Sequence, residues 1–278
     1  MAPPATRRVA PLPHSGTLRA TGGLGAFAVK VHPDISCLLA VGLTAWTFAD
    51  TIFPEAAPGR GAAAYWAAGI VMGTAFVTSL ALHEMGHAVA GRRVGLIPRR
   101  IALSLFGGVT IFDREPETPR AACQVALAGP LVNLVAALVA GLVHVVLVEV
   151  DADPLAAAVA ASFGVINAGV AVVNVMPVLP LDGGHVFRAA LASAIRRPDI
   201  AASVAAGFGR LFGWGLLGVA VLASASGDAA IALWTGLMGF AIDDHMRAAP
   251  LPRSLERVLL PRVFGRVRVP RVARRPAA

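Results

Sequence analysis

"AAAYWAAGIVMGTAFVTSLALHEMGH", Ala62 to His87, decides both the fold and the chemistry of this chain. Through Leu82 the stretch carries no charge and reads as the inside of a bilayer; then come His83, Glu84 and His87. A spanning helix needs roughly 20 mostly apolar residues, and this segment supplies them. In an α-helix, positions i and i+4 stand one turn apart on one face, so His83 and His87 can aim ring nitrogens at a single ion. Glu84 lies about 100° further round the helix, close enough to reach a metal-bound water without taking a coordination position. Ionisable groups at membrane depth are costly and point to function. At about 1.5 Å per residue, His83 sits about 13 Å from Arg92, the first arginine after the span.

The rest of the sequence places this helix among others. Of 278 residues, 56% are hydrophobic and only 14% charged, with a mean hydropathy of +0.71, beyond what a soluble domain carries. Six spans are predicted, at about 35–54, 62–91, 121–149, 155–178, 203–223 and 227–246. The expected fold is an all-α membrane protein with six transmembrane helices and a short β-hairpin or re-entrant segment after the second. "RRIALSLFGGVTIF", Arg99 to Phe112, supplies that segment, with β-favouring runs around Gly107 and Gly108. "GAFAVKVH", Gly25 to His32, alternates like a short strand leading into the first helix. Residues 1–23, rich in Pro, Arg, Gly and Ala, read as a disordered lead-in, 24–247 as the membrane domain and 248–278 as a basic tail at the membrane surface. No signal-peptide pattern precedes Ile35, so the first span is expected to remain uncleaved.

Charge sets an expected orientation. All but Arg60 and Arg210 of the 24 Lys and Arg residues fall in segments that alternation assigns to one side. Both termini are therefore expected in the cytoplasm, in a plasma (inner) membrane. The net charge of +8 flanks spans, where anionic headgroups meet it, and argues for a lipid rather than a nucleic-acid partner. Arg210 is expected to snorkel towards those headgroups. Cys37 and Cys123 stand far apart in sequence and imply no disulfide framework.

A catalytic zinc takes three protein ligands and keeps one open position. "NVMPVLPLDGGHVFRAAL", Asn174 to Leu191, is the candidate source of the third. Pro177 and Pro180 interrupt the helix, and Gly183 and Gly184 permit a tight turn. Broken backbone at membrane depth survives where it lines a protein-enclosed or watered cavity, so Asp182 is expected to face one. A helix-capping role for Asp182, and His185 as the ligand instead, are the competing readings.

The motifs "HEMGH", "SLFGGVTIF", "ALAGPLVN" and "NVMPVLPLDGG", in that order, resemble the site-2 protease family of intramembrane zinc metalloproteases. The resemblance runs from about Leu24 to His245. It is strongest to the bacterial branch lacking a PDZ domain, whose members share a V-x-V-H stretch like Val29 to His32. Many of that branch continue into paired CBS domains, where this sequence has its short basic tail. The resemblance implies one zinc ion held by His83, His87 and Asp182, with Glu84 as the catalytic acid and base. It implies that Asn174 and Asn133 bind substrate backbone or support the site; Gly107 and Gly108 are candidates for the same role because their segment could offer a strand edge to an unwound substrate, the competing reading being a surface hairpin with packing duties alone. Substrates would be single-span or hairpin membrane proteins, such as anti-sigma factors, membrane-held transcription-factor precursors or signal-peptide remnants. The alternative from another class is a metal transporter with His83, His87 and Asp182 as a transit site. It has no need of Glu84 and no repeat symmetry in this sequence to support it.

Overall fold

The computed structural model describes residues 29–248. The predicted lead-in, the first part of the Gly25–His32 strand and the tail after Ala248 lie outside the described residues.

The chain opens with strand β1 (Lys30–Pro33) and turns into helix α1 (Ser36–Thr47), which continues through a π-helical turn, Phe48–Ile52, into the short α2 (Phe53–Ala56). Helix α3 (Ala62–Arg93) carries the histidine motif at its C-terminal end and is followed by strands β2 (Pro98–Ser104) and β3 (Gly107–Phe112). The long helices α4 (Pro119–Glu149) and α5 (Pro154–Val175) come next, then α6 (Asp182–Ile195), α7 (Pro198–Ser226) and α8 (Ala229–Ala248). Local chemistry sets several of these starts. Pro119, Pro154 and Pro198 stand in the first turn of α4, α5 and α7, where the missing N–H has no partner to lose. Thr118 and Asp153 cap α4 and α5, accepting from Ala121 N and Leu155 N. Gly227 ends α7 with a φ of +84°, which an L side chain adopts only at a cost.

Five helical segments among the described residues are long and apolar enough to cross a membrane: Ser36–Ala56, Ala62–Arg93, Pro119–Glu149, Pro154–Val175 and Pro198–Ser226. Their outer faces expose large apolar side chains such as Leu138 and Leu142, each 66% accessible, as lipid-facing helices do. The predicted sixth span does form a helix, α8, but Asp243, Asp244, His245 and Arg247 occupy its last turns and keep it below the same measure. Helix α6, with 14 residues, is too short to cross.

The hairpin reading holds for 99–112, and β1 joins it. The sheet order is β1-β2-β3, with β1 parallel to β2 (Lys30 opposite Arg100) and β3 antiparallel to it (Ser104 opposite Gly107). The reversal falls at Leu105 and Phe106 rather than at Gly107 and Gly108, which instead begin the second strand. Gly107 takes a φ of +119° straight after the turn, and Gly108 is needed for a close approach described below. Asp113 closes the open end by accepting from Ile97 N at 2.9 Å; that bond holds its carboxyl below the ordinary carboxylate range. Ile101 and Leu103 of β2 pack with Cys37 and Ala88, which seats the sheet on the motif end of α3. At the other end of α3 a second apolar cluster gathers Phe48, Phe53, Tyr65, Met72 and Leu155.

The tight turn expected at Gly183 and Gly184 is not one: both lie in the first turn of α6. A Cβ on Gly184 would collide with the backbone of Val178 and Leu179, and one on Gly183 with Val175 and Met176. The chain between α5 and α6 doubles back so closely that only glycine fits. Arg210, expected to reach for headgroups, donates to the carbonyl of Met246, 3.1 Å away, near the end of α8.

Candidate metal centre

Helix α3 places His83 and His87 one turn apart, with ring centroids separated by 4.7 Å and the rings nearly perpendicular. Both are buried, as is Glu84. The outer nitrogen of each ring is committed. His87 Nδ1 lies 2.7 Å from the carbonyl oxygen of Val125 in α4, and His83 Nδ1 is hydrogen-bonded to Asn133 Oδ1. A carbonyl only accepts, so His87 carries its proton on Nδ1, and the same holds for His83 opposite the amide oxygen of Asn133. In the neutral form of each ring, the form that binds a metal, Nε2 is then the bare lone pair.

Those two lone pairs converge, Nε2 to Nε2, at 3.1 Å. Asp182, the first residue of α6, brings its carboxylate to the same point: Oδ1 lies 3.2 Å from His87 Nε2 and Oδ2 lies 3.2 Å from His83 Nε2. Oδ2 is buried with no hydrogen-bond partner. Three electron-rich groups meeting without a proton between them repel one another unless a cation lies among them. A tetrahedral ion holding nitrogen and oxygen ligands at about 2.0–2.1 Å would separate them by about 3.3 Å, which the three spacings match. The side chains of His83, His87 and Asp182 are the one such group among the described residues. The chemistry and spacing of this donor set fit zinc.

Glu84 stands beside the cluster, held from the sheet. Thr110 Oγ1 lies 2.7 Å from Glu84 Oε2 and 2.9 Å from the carbonyl of Glu84. Two residues before it, Gly108 passes so near that a Cβ there would meet Glu84 Oε1 at 2.7 Å. Strand β3 thus clasps the glutamate through one hydroxyl and one missing side chain. A comparable gap faces the histidines: a Cβ on Gly129 of α4 would lie 2.5 Å from His83 Nε2 and closer still to His87 Nε2. Helices α3 and α4 can approach here because Gly86 rests against the carbonyl of Ala128, where a Cβ would come within 2.8 Å.

This assembly puts three convergent candidate metal ligands, a buried glutamate and a polar shell at the end of a span, and the comparisons with known proteins agree with it. A model of peptidase family M50 matches residues 71–160 and 140–215. The chain belongs to peptidase family M50. Among its M50 relatives, Rip3 of Mycobacterium tuberculosis, named a zinc metalloprotease, is 35% identical over 170 residues, 61% of this chain and 42% of Rip3. A Synechocystis protein with the same kind of name is 29% identical over 216 residues, 77% of this chain and 55% of its own. The chain therefore spans roughly half the length of the curated relatives it matches. The solved site-2 protease from Methanocaldococcus jannaschii shares the fold, with a TM-score of 0.55, 21% identity and coverage of 79% of this chain and 92% of that one.

Most of the anticipated residues of this M50 chain come together. His83, His87, Asp182 and Glu84 form one cluster, Asn133 hydrogen-bonds a ligand ring, and Gly108 lies over Glu84. Gly107 is at the hairpin turn and has nothing within 4 Å of the position a Cβ would take. Asn174 spends its amide donor on Val170 of its own helix, at 3.0 Å, and no hydrogen bond ties it to the cluster. His185 is outside the ligand group. Sequence reasoning passed over Thr110, Gly129 and Asn167. Asn167 is fully buried in α5 and accepts from Asn133. An amide within so apolar a span, two turns before Asn174, was a signal open to reading.

Proposed function

We propose that this chain is an intramembrane zinc metalloprotease that hydrolyses peptide bonds in or near the spans of other membrane proteins. The observation that carries it is the convergence of His83 Nε2, His87 Nε2 and the Asp182 carboxylate at 3.1–3.2 Å, with the buried carboxylate of Glu84 beside them. Zinc bound there would supply Lewis acidity, polarising the scissile carbonyl and acidifying water. Glu84, fixed by Thr110, would take a proton from that water and return it to the departing amine. His83 and His87 would keep their Nδ1 protons on Asn133 and Val125 throughout, so that their Nε2 atoms stay directed inward. A transit site has no use for a glutamate clasped in this way, which favours hydrolysis over transport.

The substrate is read as a single-span or hairpin membrane protein, with anti-sigma factors, membrane-held transcription-factor precursors and signal-peptide remnants as the classes to try. A substrate helix has to unwind before attack, since its peptide bonds are shielded by side chains and i to i−4 hydrogen bonds. Strand β3 pairs with β2 alone among the described residues, so its free edge could accept an unwound segment as a further strand. Asn174 Oδ1 and the Gly107–Gly108 backbone would meet the same segment. With α8 as a sixth span, both termini would lie in the cytoplasm and water would reach the site from that side. Residues 24–247 would be the working domain, flanked by the lead-in and the basic tail.

Co-expression with tagged single-span proteins tests the reading. Wild type should release a soluble fragment that Glu84→Gln does not, while both bind zinc. A fragment released equally by the Glu84→Gln form would end the proposal.

A further inference from the structure

Behind His83 runs a line of hydrogen bonds whose direction is dictated from its far end. The carbonyl of Phe163 can only accept, so the group of Asn167 facing it at 2.9 Å is the amide nitrogen. Asn167 therefore turns its Oδ1 to Asn133, 2.8 Å away, and Asn133 must answer with its own amide nitrogen. That leaves Asn133 Oδ1 facing His83, and His83 must present Nδ1 as a donor. Each amide has one polar face available to each neighbour, so reversing any member breaks two bonds at once. Both asparagines are completely buried, so no water can stand in for a lost partner.

We propose that Asn167 is a positioning residue for the metal: acting through Asn133, it fixes which nitrogen of His83 bears the proton and where Nε2 points, although it never touches the cluster. The inference rests on the zinc reading above. It differs from a packing role in its consequence. With Asn167 unable to accept, Asn133 is free to turn its NH₂ group towards His83 Nδ1. The ring then does best with its proton on Nε2, the atom needed as a lone pair. Metal binding has to reverse that arrangement and weakens accordingly.

The experiment uses the full chain in detergent or nanodiscs, with Zn²⁺ affinity measured by competition with a chromophoric chelator and the visible absorption of bound Co²⁺ recorded as a probe of ligand geometry. Asn167→Leu, close to isosteric, should weaken Zn²⁺ binding about 10- to 100-fold, the range for partners that orient a metal ligand, and shift the Co²⁺ bands. Asn133→Ala should do at least as much. The double variant should lose no more than Asn133→Ala alone, because Asn167 works only through Asn133. If Asn167→Leu does not accumulate folded, Asn167→Ser replaces it. Its hydroxyl can still bond the Phe163 carbonyl but is too short to hold Asn133.

Asn167 variants with wild-type affinity and unshifted Co²⁺ bands overturn the inference, as does a double variant whose loss is the product of the two single losses. Failure of the wild type itself to bind Zn²⁺ would instead remove the metalloprotease reading. The two failures are thereby distinguishable.

Discussion

Gly129→Ala separates the metal centre from the stability of the fold. A Cβ at this position would lie 2.5 Å from His83 Nε2 and nearer to His87 Nε2, whereas carbon settles at about 3.5 Å or more from a non-bonded heavy atom. The rings would have to withdraw by about 1 Å, and a zinc site tolerates about 0.2 Å in its ligand distances. Displacing both imidazoles should exceed the 10- to 100-fold loss typical of an altered supporting residue. A loss of about 100-fold or more in Zn²⁺ affinity is expected, about 2.8 kcal/mol at 1.4 kcal/mol per tenfold. Alanine also favours a helix over glycine by up to about 1 kcal/mol, which offsets part of the strain, so thermal unfolding of the metal-free protein should change little. The control is Gly141→Ala in the same helix, where nothing lies within 4 Å of the added carbon; it should bind zinc as wild type does. Chelator competition on the purified proteins reads both. Wild-type affinity in Gly129→Ala would refute the reasoning, since the ligands could then shift by an ångström without cost and their spacing would say nothing about an ion.

Other substitutions probe the remaining contacts. Thr110→Val removes the one side-chain hydrogen bond on Glu84 among the described residues and should lower kcat by about 10-fold or more with KM and zinc content unchanged, while Thr110→Ser should restore most of the rate; equal rates for both variants would count against the clasp. Asp182→Ala should cost most of the bound zinc on dialysis against a chelator, and retention of a full equivalent would show that another residue completes the site. Gly86→Val forces a branched side chain against Ala128 and Val132 and should destabilise by about 1–3 kcal/mol, as overpacking does, seen as a lower unfolding temperature before any zinc is added.

What the sequence disclosed follows from the range of each interaction. His83, Glu84 and His87 were legible because one helical turn fixes their geometry without reference to the rest of the chain. Asp182 was legible less directly, through two prolines and two glycines that make a span unlike the others, together with the family resemblance. The hairpin was visible in its β-branched runs, but its turn was placed two residues late. Glycines suggested the turn, and only the approach of β3 to Glu84 shows what Gly108 is for. Thr110, Gly129 and Asn167 gain their meaning from how β3, α4 and α5 cross α3, and no local period records that. The Arg210 contact with Met246 depends likewise on how α7 lies against α8.

The same crossings explain why so polar a centre holds its shape within an apolar bundle. Between spans there is little hydrophobic drive to squeeze helices together, so close approach relies on small residues and on hydrogen bonds. At this site the small residues mark the contacts: Gly86 against α4, Gly129 against the imidazoles, Gly108 against Glu84, and Gly183 with Gly184 against the returning chain. Each lets a backbone come near enough to touch a residue of the cluster or to bring up an element that does. The asparagine line and the Val125 carbonyl then orient what the backbones have brought together. Ligand spacing is thereby governed by helix separation more than by the packing of bulky side chains. A methyl group added at Gly129 or Gly108, where it would meet the imidazoles or Glu84 rather than backbone, should disturb metal binding and catalysis more than it disturbs folding, the reverse of what a methyl-sized change does in the aromatic cluster around Phe53 and Met72.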